Sequence, residues 1–254
     1  MPEFRSFDGV TLHFDLEGDG APVVLLHGFA ADTDLNWRQP GIMRALADAG
    51  KTAVGLDARG HGRSQKCHDP AAYAGEAMVA DVCALFDHLH MDEADVVGYS
   101  MGSATALRFA MSDPRLGRLV LGGTSGNLAD TAAGMGERGS RIAEGLEAED
   151  PDGIADPVAR RFRRFVESTG ADRLALAAVQ RGRGRTPVSR EALMKITVPT
   201  LVVCGADDVS PHELAAALPA GRARIVPGDH LSAVREPALA SAIVEFLTEQ
   251  PNGA

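Results

Sequence analysis

The chain has 254 residues and a mass of 26.6 kDa, enough for one large domain, and its 45% hydrophobic content is ordinary for a globular protein. A formal net charge of -10 and a pI near 5.2 exclude the basic face that a nucleic-acid partner needs. Cys67, Cys83 and Cys204 lie too far apart for a disulfide framework or a metal-ligand spacing and read as reduced thiols; with no secretion signal and no window as long as a membrane span, the expected location is cytoplasmic.

In chain order, Asp8-Gly9 between two short alternating stretches predicts an opening β-hairpin, because Asp-Gly favours the turn that strand twist demands. The pattern then changes to near-continuous apolar runs at Pro22 to Gly28, Lys51 to Asp57, Asp95 to Ser100, Arg118 to Gly123 and Pro199 to Gly205. Such runs suit strands buried on both faces. Helical spacing over Trp37 to Ala49, Ala74 to Leu89 and Ala104 to Met111 alternates with them, which predicts a doubly wound, mostly parallel α/β sheet. The alternation stops after residue 123 and resumes at residue 197, with a helix over Pro211 to Leu218, a short strand over Ala223 to Val226 and a helix over Pro237 to Leu247.

The reading is therefore a core of residues 1–123 and 197–254, interrupted by a helical insertion of residues 124–196. Ligands of open α/β sheets bind beyond the carboxyl ends of the strands, so an insertion leaving from that end is expected to cap the site. Within it Val158, Phe162, Phe165 and Val166 recur at helical spacing, which sets the arginines of Arg160 to Arg164 on a charged outer face. A second basic cluster, Arg181 to Arg185, is balanced by Glu144, Glu147, Glu149, Asp150 and Asp152.

Chemistry is concentrated where strands end. Gly98-Tyr99-Ser100-Met101-Gly102 joins a buried strand to a helix with almost no loop, so the serine sits on a sharp turn that small neighbours permit. Its hydroxyl is lifted above the sheet, and the amide of Met101 falls in the first turn of a helix, where unpaired N–H groups favour negative charge. The motif alone also fits a tight turn without chemistry, so partners must decide. Two later strand ends supply them: Asp207-Asp208 and Asp229-His230. A serine hydroxyl needs a general base, imidazole suits that role near neutrality, and the imidazole in turn needs a carboxylate to fix its tautomer. The order Ser100, Asp208, His230 is the one that strand–turn–helix serine sites use. His27 and His61, in tight glycine turns, suit packing better than chemistry, and His88 and His90 lack a third ligand for a metal.

With His27-Gly28-Phe29, Asp57 to Ser64, the Gly98 to Gly102 elbow, Gly205 to Asp208 and Gly228-Asp229-His230 all in order, the chain resembles an α/β-hydrolase of the small esterase, lactonase and cofactor-free haloperoxidase type. The resemblance implies a second oxyanion donor, the amide of Phe29, beside that of Met101. It places the acid at Asp208 rather than Asp207, with Asp130 a remoter substitute, and leaves the Arg59 to Ser64 loop a structural role. It also implies a small-molecule ester or lactone substrate, no cofactor and no metal. Haloalkane dehalogenases and epoxide hydrolases of this type carry an aspartate at the elbow, and epoxide hydrolases add two cap tyrosines. Here the elbow residue is Ser100, and the chain's tyrosines, Tyr73 and Tyr99, both lie outside the insertion. A haloperoxidase or perhydrolase would use the same triad, and a non-catalytic binding protein of the same fold stays open as an alternative of another class.

Overall fold

The computed structural model describes residues 2–125, 132–183 and 187–250. Eight strands form one sheet among the described residues: β1 (Glu3–Arg5), β2 (Thr11–Glu17), β3 (Ala21–Leu26), β4 (Lys51–Leu56), β5 (Ala94–Tyr99), β6 (Leu116–Gly122), β7 (Thr200–Gly205) and β8 (Gly221–Val226). Their spatial order is β1-β2-β4-β3-β5-β6-β7-β8. β1 and β2 pair antiparallel, β2 continues antiparallel onto β4, and every pairing from β4 through β8 is parallel. This is the doubly wound, mostly parallel sheet expected from the sequence. The opening hairpin turns over Ser6 to Val10, with Gly9 at φ 85°, so Asp8-Gly9 belongs to a longer loop than a two-residue turn.

The apolar runs are continuous because both faces of the central strands are covered. Val24, Leu26, Val96, Leu119, Leu121 and Val202 pack under α2 (Ala77–His88) and α3 (Met101–Ser112). Their neighbours Val23, Leu25, Val97, Val120, Leu201 and Val203 meet α1 (Ile42–Asp48) and α9 (Pro237–Thr248) on the other face. The expected helix over Trp37 to Ala49 is broken: a short π-helical turn, Asp34–Arg38, precedes α1, and Gly41 adopts φ 79° between them. Pro40 explains the break, since it has no N–H to give to a continuing helix. Residues 70–73 form a separate 3-10 turn before α2 for the same kind of reason, with Pro70 behind an Asp69 cap.

Between β6 and β7 lie α4 (Ala132–Glu147), α5 (Pro157–Thr169), α6 (Arg173–Gly182) and α7 (Arg190–Leu193). Asp156 and Asp172 cap α5 and α6 by accepting from Val158 and Ala159, and from Leu174 and Ala175. The charged outer face expected for α5 needs one correction. Arg163 is only 4% exposed, while Val158 is turned outward; the buried face is Ala159, Arg163 and Val166, with Phe162 half-buried beside them. Arg163 is buried because it answers the unpaired carbonyls at the end of α4, donating to Gly145 O at 3.1 Å and Ala148 O at 2.6 Å while pairing with Glu167. Arg173 donates to Leu146 O and Arg181 pairs with Glu147 at the same helix end. Of the second basic cluster, Gly184 and Arg185 lie outside the described residues.

The Asp57 to Ser64 loop is a polar framework. Asp57 accepts from the amides of Thr33 and Arg63, and Ser64 accepts from the amide of His13. Arg59 is fully buried and forks onto Asp81 at 2.7 and 2.6 Å, while also reaching Asp8 and the carbonyl of Ala72. Removing one partner of a buried pair strands the other charge, so Arg59→Met is expected to lose about 3–5 kcal/mol of stability in urea unfolding. A loss under about 1 kcal/mol would show that the fork contributes little.

His61, 2% exposed, donates through Nδ1 to the carbonyl of Arg59 and packs 5.1 Å from the ring of His27. Burial, reinforced by His27, pushes its imidazole down to about 3. The unfolded chain takes up this proton near pH 6.5 and the folded chain does not, so the stability is complete above pH 6.5 and is lost as pH falls towards 3. The loss approaches about 1.4 kcal/mol per pH unit. His61→Asn is therefore expected to flatten the fall in urea midpoint between about pH 6.5 and pH 5; parallel curves for the two proteins would refute this origin of acid sensitivity.

Candidate active site

Ser100 ends β5 in a conformation that a serine rarely adopts, φ 52° and ψ -106°. Such a backbone is strained by about 1–3 kcal/mol and persists only where its surroundings hold it. Three contacts do so: Ser100 N donates to Gly122 O at 2.8 Å, and the hydroxyl of Ser103 donates to Gly98 O and Gly122 O. Gly98 and Gly102 are required by close approach. A Cβ on Gly98 would collide with the backbone of Gly102, and one on Gly102 with the carbonyl of Leu26.

The three residues expected as a relay are brought together. His230 Nε2 lies 2.9 Å from Ser100 Oγ, and His230 Nδ1 lies 2.9 Å from Asp208 Oδ2. A carboxylate only accepts, so Nδ1 carries the proton and Nε2 presents its lone pair to the serine hydroxyl. Side-chain exposure is 7% for Asp208 and 42% for His230, so the acid is enclosed while the imidazole can be reached. Asp207 is exposed and makes no bond to His230; its amide instead donates to Gly228 O. Asp130 lies outside the described residues.

The β3 end supplies the facing wall. Leu26 pairs with Gly98, so the chain at His27-Gly28-Phe29 leaves the sheet beside the elbow, where Gly28 sits against the Cβ of Ser100. His27 fixes this loop, with Nδ1 donating to Gly28 O and Nε2 accepting from the amide of Ala58. Asn36 Oδ1 accepts from Gly28 N at 2.7 Å, and Ala30 is held at φ 62°. Among the described residues no group accepts from the amides of Phe29 or Met101, and the latter opens α3 with the helix dipole behind it.

The helices between β6 and β7 border this loop. Phe29 packs with Ile142, Leu146, Phe162, Val166 and Leu176 on one side and with Met101, Ala178 and Val179 on the other, and its ring meets Phe162 edge-on at 5.5 Å. The guanidinium of Arg183 lies over the same ring, 5.9 Å from its centroid. His88, one half of the H-x-H pair, stacks on Phe4 at 5.2 Å, far along the sheet from the relay. Among the described residues no group of three or more His, Cys, Asp or Glu is arranged to hold a metal ion, and no helix is long and apolar enough to cross a membrane.

Sequence reasoning missed Asn36, Arg163 and Tyr99. Asn36 lies in a polar loop with no motif to mark it, Arg163 was hidden by charge, and Tyr99 occupies the variable position of the elbow. Its signal is only that a tyrosine ends a buried strand.

Comparison with known proteins agrees with this fold. The model of the alpha/beta hydrolase fold matches residues 21–175. A candidate 2-succinyl-6-hydroxy-2,4-cyclohexadiene-1-carboxylate synthase of Bacillus subtilis (strain 168) is 30% identical across 95% of this chain and 96% of its own length. An epoxide hydrolase of Caballeronia sordidicola is 35% identical over 115 residues, which span 45% of this chain and 34% of that longer protein. A thermophilic esterase from Thermogutta terrifontis, solved with malate bound, superposes with a TM-score of 0.80 at 28% identity, covering 97% of this chain and 98% of the esterase. The match over more than half of the chain and the full-length relative together show that the chain belongs to the alpha/beta hydrolase fold family.

Proposed function

We propose that the chain is a serine hydrolase that cleaves a carboxylic ester or lactone of small-molecule size through an acyl-enzyme. The observation that carries this reading is the unbroken chain from Asp208 through His230 to Ser100, with both bonds at 2.9 Å, beside a loop and a helix start whose amides at Phe29 and Met101 have no acceptor among the described residues. Ser100 Oγ attacks the acyl carbon as its proton passes to His230 Nε2, and the oxygen that becomes negative is held by the amides of Phe29 and Met101. The departing alcohol takes the proton from His230. Water then attacks the acyl-enzyme, gives a proton to the same nitrogen, and releases the acid with Ser100 restored. Residues 124–196 act as the cap in this reading, because α5 and α6 pack on Phe29 and Met101 beside the oxyanion site. The elbow serine disfavours epoxide opening, which takes an aspartate there.

The Bacillus relative favours a second reading, in which the same relay serves a synthase rather than a hydrolase. The two separate on whether an acyl group becomes attached to Ser100. Purified protein is expected to hydrolyse short p-nitrophenyl esters and to be labelled at Ser100 by a fluorophosphonate. Ser100→Ala should lose both while keeping its circular dichroism spectrum. Ester turnover surviving in Ser100→Ala would overturn the mechanism; labelling without turnover or any acylated Ser100 on an ester and lactone panel would favour the synthase.

The acid is tested separately. Asp208→Asn removes the charge that holds the His230 tautomer, so kcat is expected to fall by about 10³–10⁴. Asp207→Asn should stay within about threefold of the parent, since that carboxyl is exposed and remote from the imidazole. A larger loss in Asp207→Asn than in Asp208→Asn would reverse the assignment.

A further inference from the structure

We propose that Tyr99 is a positioning residue for His230, its phenol fastening the backbone of the base to the strand that carries the nucleophile. The proposal rests on the relay read above. The Tyr99 hydroxyl donates to His230 O at 2.7 Å across 131 positions of sequence. Among the described residues no backbone amide accepts the task instead: His230 O receives no other donor. Asp207 N donates to Gly228 O at the start of its loop, and beyond that the loop is held locally, with Asp229 Oδ1 accepting from Leu231 N, Ser232 N and the Ser232 hydroxyl, and Ala233 N donating to Asp229 O. Those bonds shape the turn without tying His230 to β5.

The need for a tie follows from exposure. The His230 side chain is far more open to solvent than its acid, so packing does little to fix the ring. Tyr99 is buried, its ring lies along Gly122-Gly123, and its centroid is 5.8 Å from that of His230. Gly123 leaves room for both: a Cβ there would stand 3.0 Å from Tyr99 Cζ and 3.3 Å from His230 Cε1. Tyr99 is also bonded through its peptide to Ser100. The phenol bridge and the Ser100–His230 bond therefore close a small circuit, in which base and nucleophile are fixed relative to each other at two points. Burial pushes the phenol up, with Asp208 adding to the effect, so it keeps its proton and remains a donor at any working pH. A misplacement of about 1 Å in such a group lowers rate by up to about 100-fold.

Tyr99→Phe deletes the hydroxyl and keeps the ring. Tyr73→Phe is its control, because Tyr73 is likewise buried and donates to a backbone carbonyl, that of Cys67. The first readout does not depend on turnover: the Cε1–H signal of His230 in protein carrying ¹³C-histidine, identified by its loss in His230→Gln. In Tyr99→Phe this signal is expected to shift and broaden, kcat for p-nitrophenyl acetate to fall about tenfold and KM to stay within about twofold. The fluorophosphonate labelling rate should fall with kcat, because both need His230 as base. Tyr73→Phe should leave all four unchanged. An unaltered His230 signal in Tyr99→Phe, or an equal change in Tyr73→Phe, would overturn the proposal. If the parent protein neither labels nor turns over, the hydrolase reading fails, and the His230 signal still decides whether Tyr99 positions the ring.

Discussion

The backbone of Ser100 is the constraint around which the site is arranged. A serine at φ 52° between a strand and a helix is tolerable only if the strand cannot slide and the helix cannot retreat. The parallel ladder from β3 through β5 to β6 meets the first condition, and the contact of Gly102 with the end of β3 meets the second. The same contact sets the β3 loop beside the elbow, so the strained turn at Ser100 and the chain at Gly28 lie against each other. The raised hydroxyl and the unbonded amide at the start of α3 are two results of one backbone crossing.

Electrostatics divides the remaining work by depth. Asp208 is enclosed and accepts from His230 Nδ1, whereas the His230 side chain stands open to solvent. Behind the oxyanion loop the histidines do the opposite. His27 has both nitrogens engaged with backbone and His61 is too deeply buried to take up a proton near neutrality, so both stiffen the loop. Four histidines of one residue type thus split by surroundings: one beside the substrate space, two in the supporting wall, and His88 as a flat surface for Phe4.

Much of this was legible in the sequence, for physical reasons that differ by region. Central strands announce themselves because burial on both faces leaves no polar position, and the elbow does because only glycine fits on either side of Ser100. Asp208 and His230 could be placed by chain order once the strands were known. Less legible was anything decided by an unpaired carbonyl. Arg163 reads as surface charge, yet the end of α4 draws it inward, and no periodicity of apolar residues reveals that demand. Tyr99 reads as one more strand residue until the carbonyl of His230 is found above it. The break at Pro40-Gly41 was written in the chain, but the helical spacing on both sides concealed it.

The arginines at the end of α4 have a consequence for how this architecture diversifies. Arg163 from α5, and Arg173 and Arg181 from α6, all converge on the last turn of one helix, so the three helices are cross-braced without borrowing a single group from the sheet. A segment braced internally can drift in its outer sequence, or be exchanged for another, while the strands beneath it keep their register. Selection can then rework these helices and leave the sheet alone, which is a route to change that never puts the strained serine at risk.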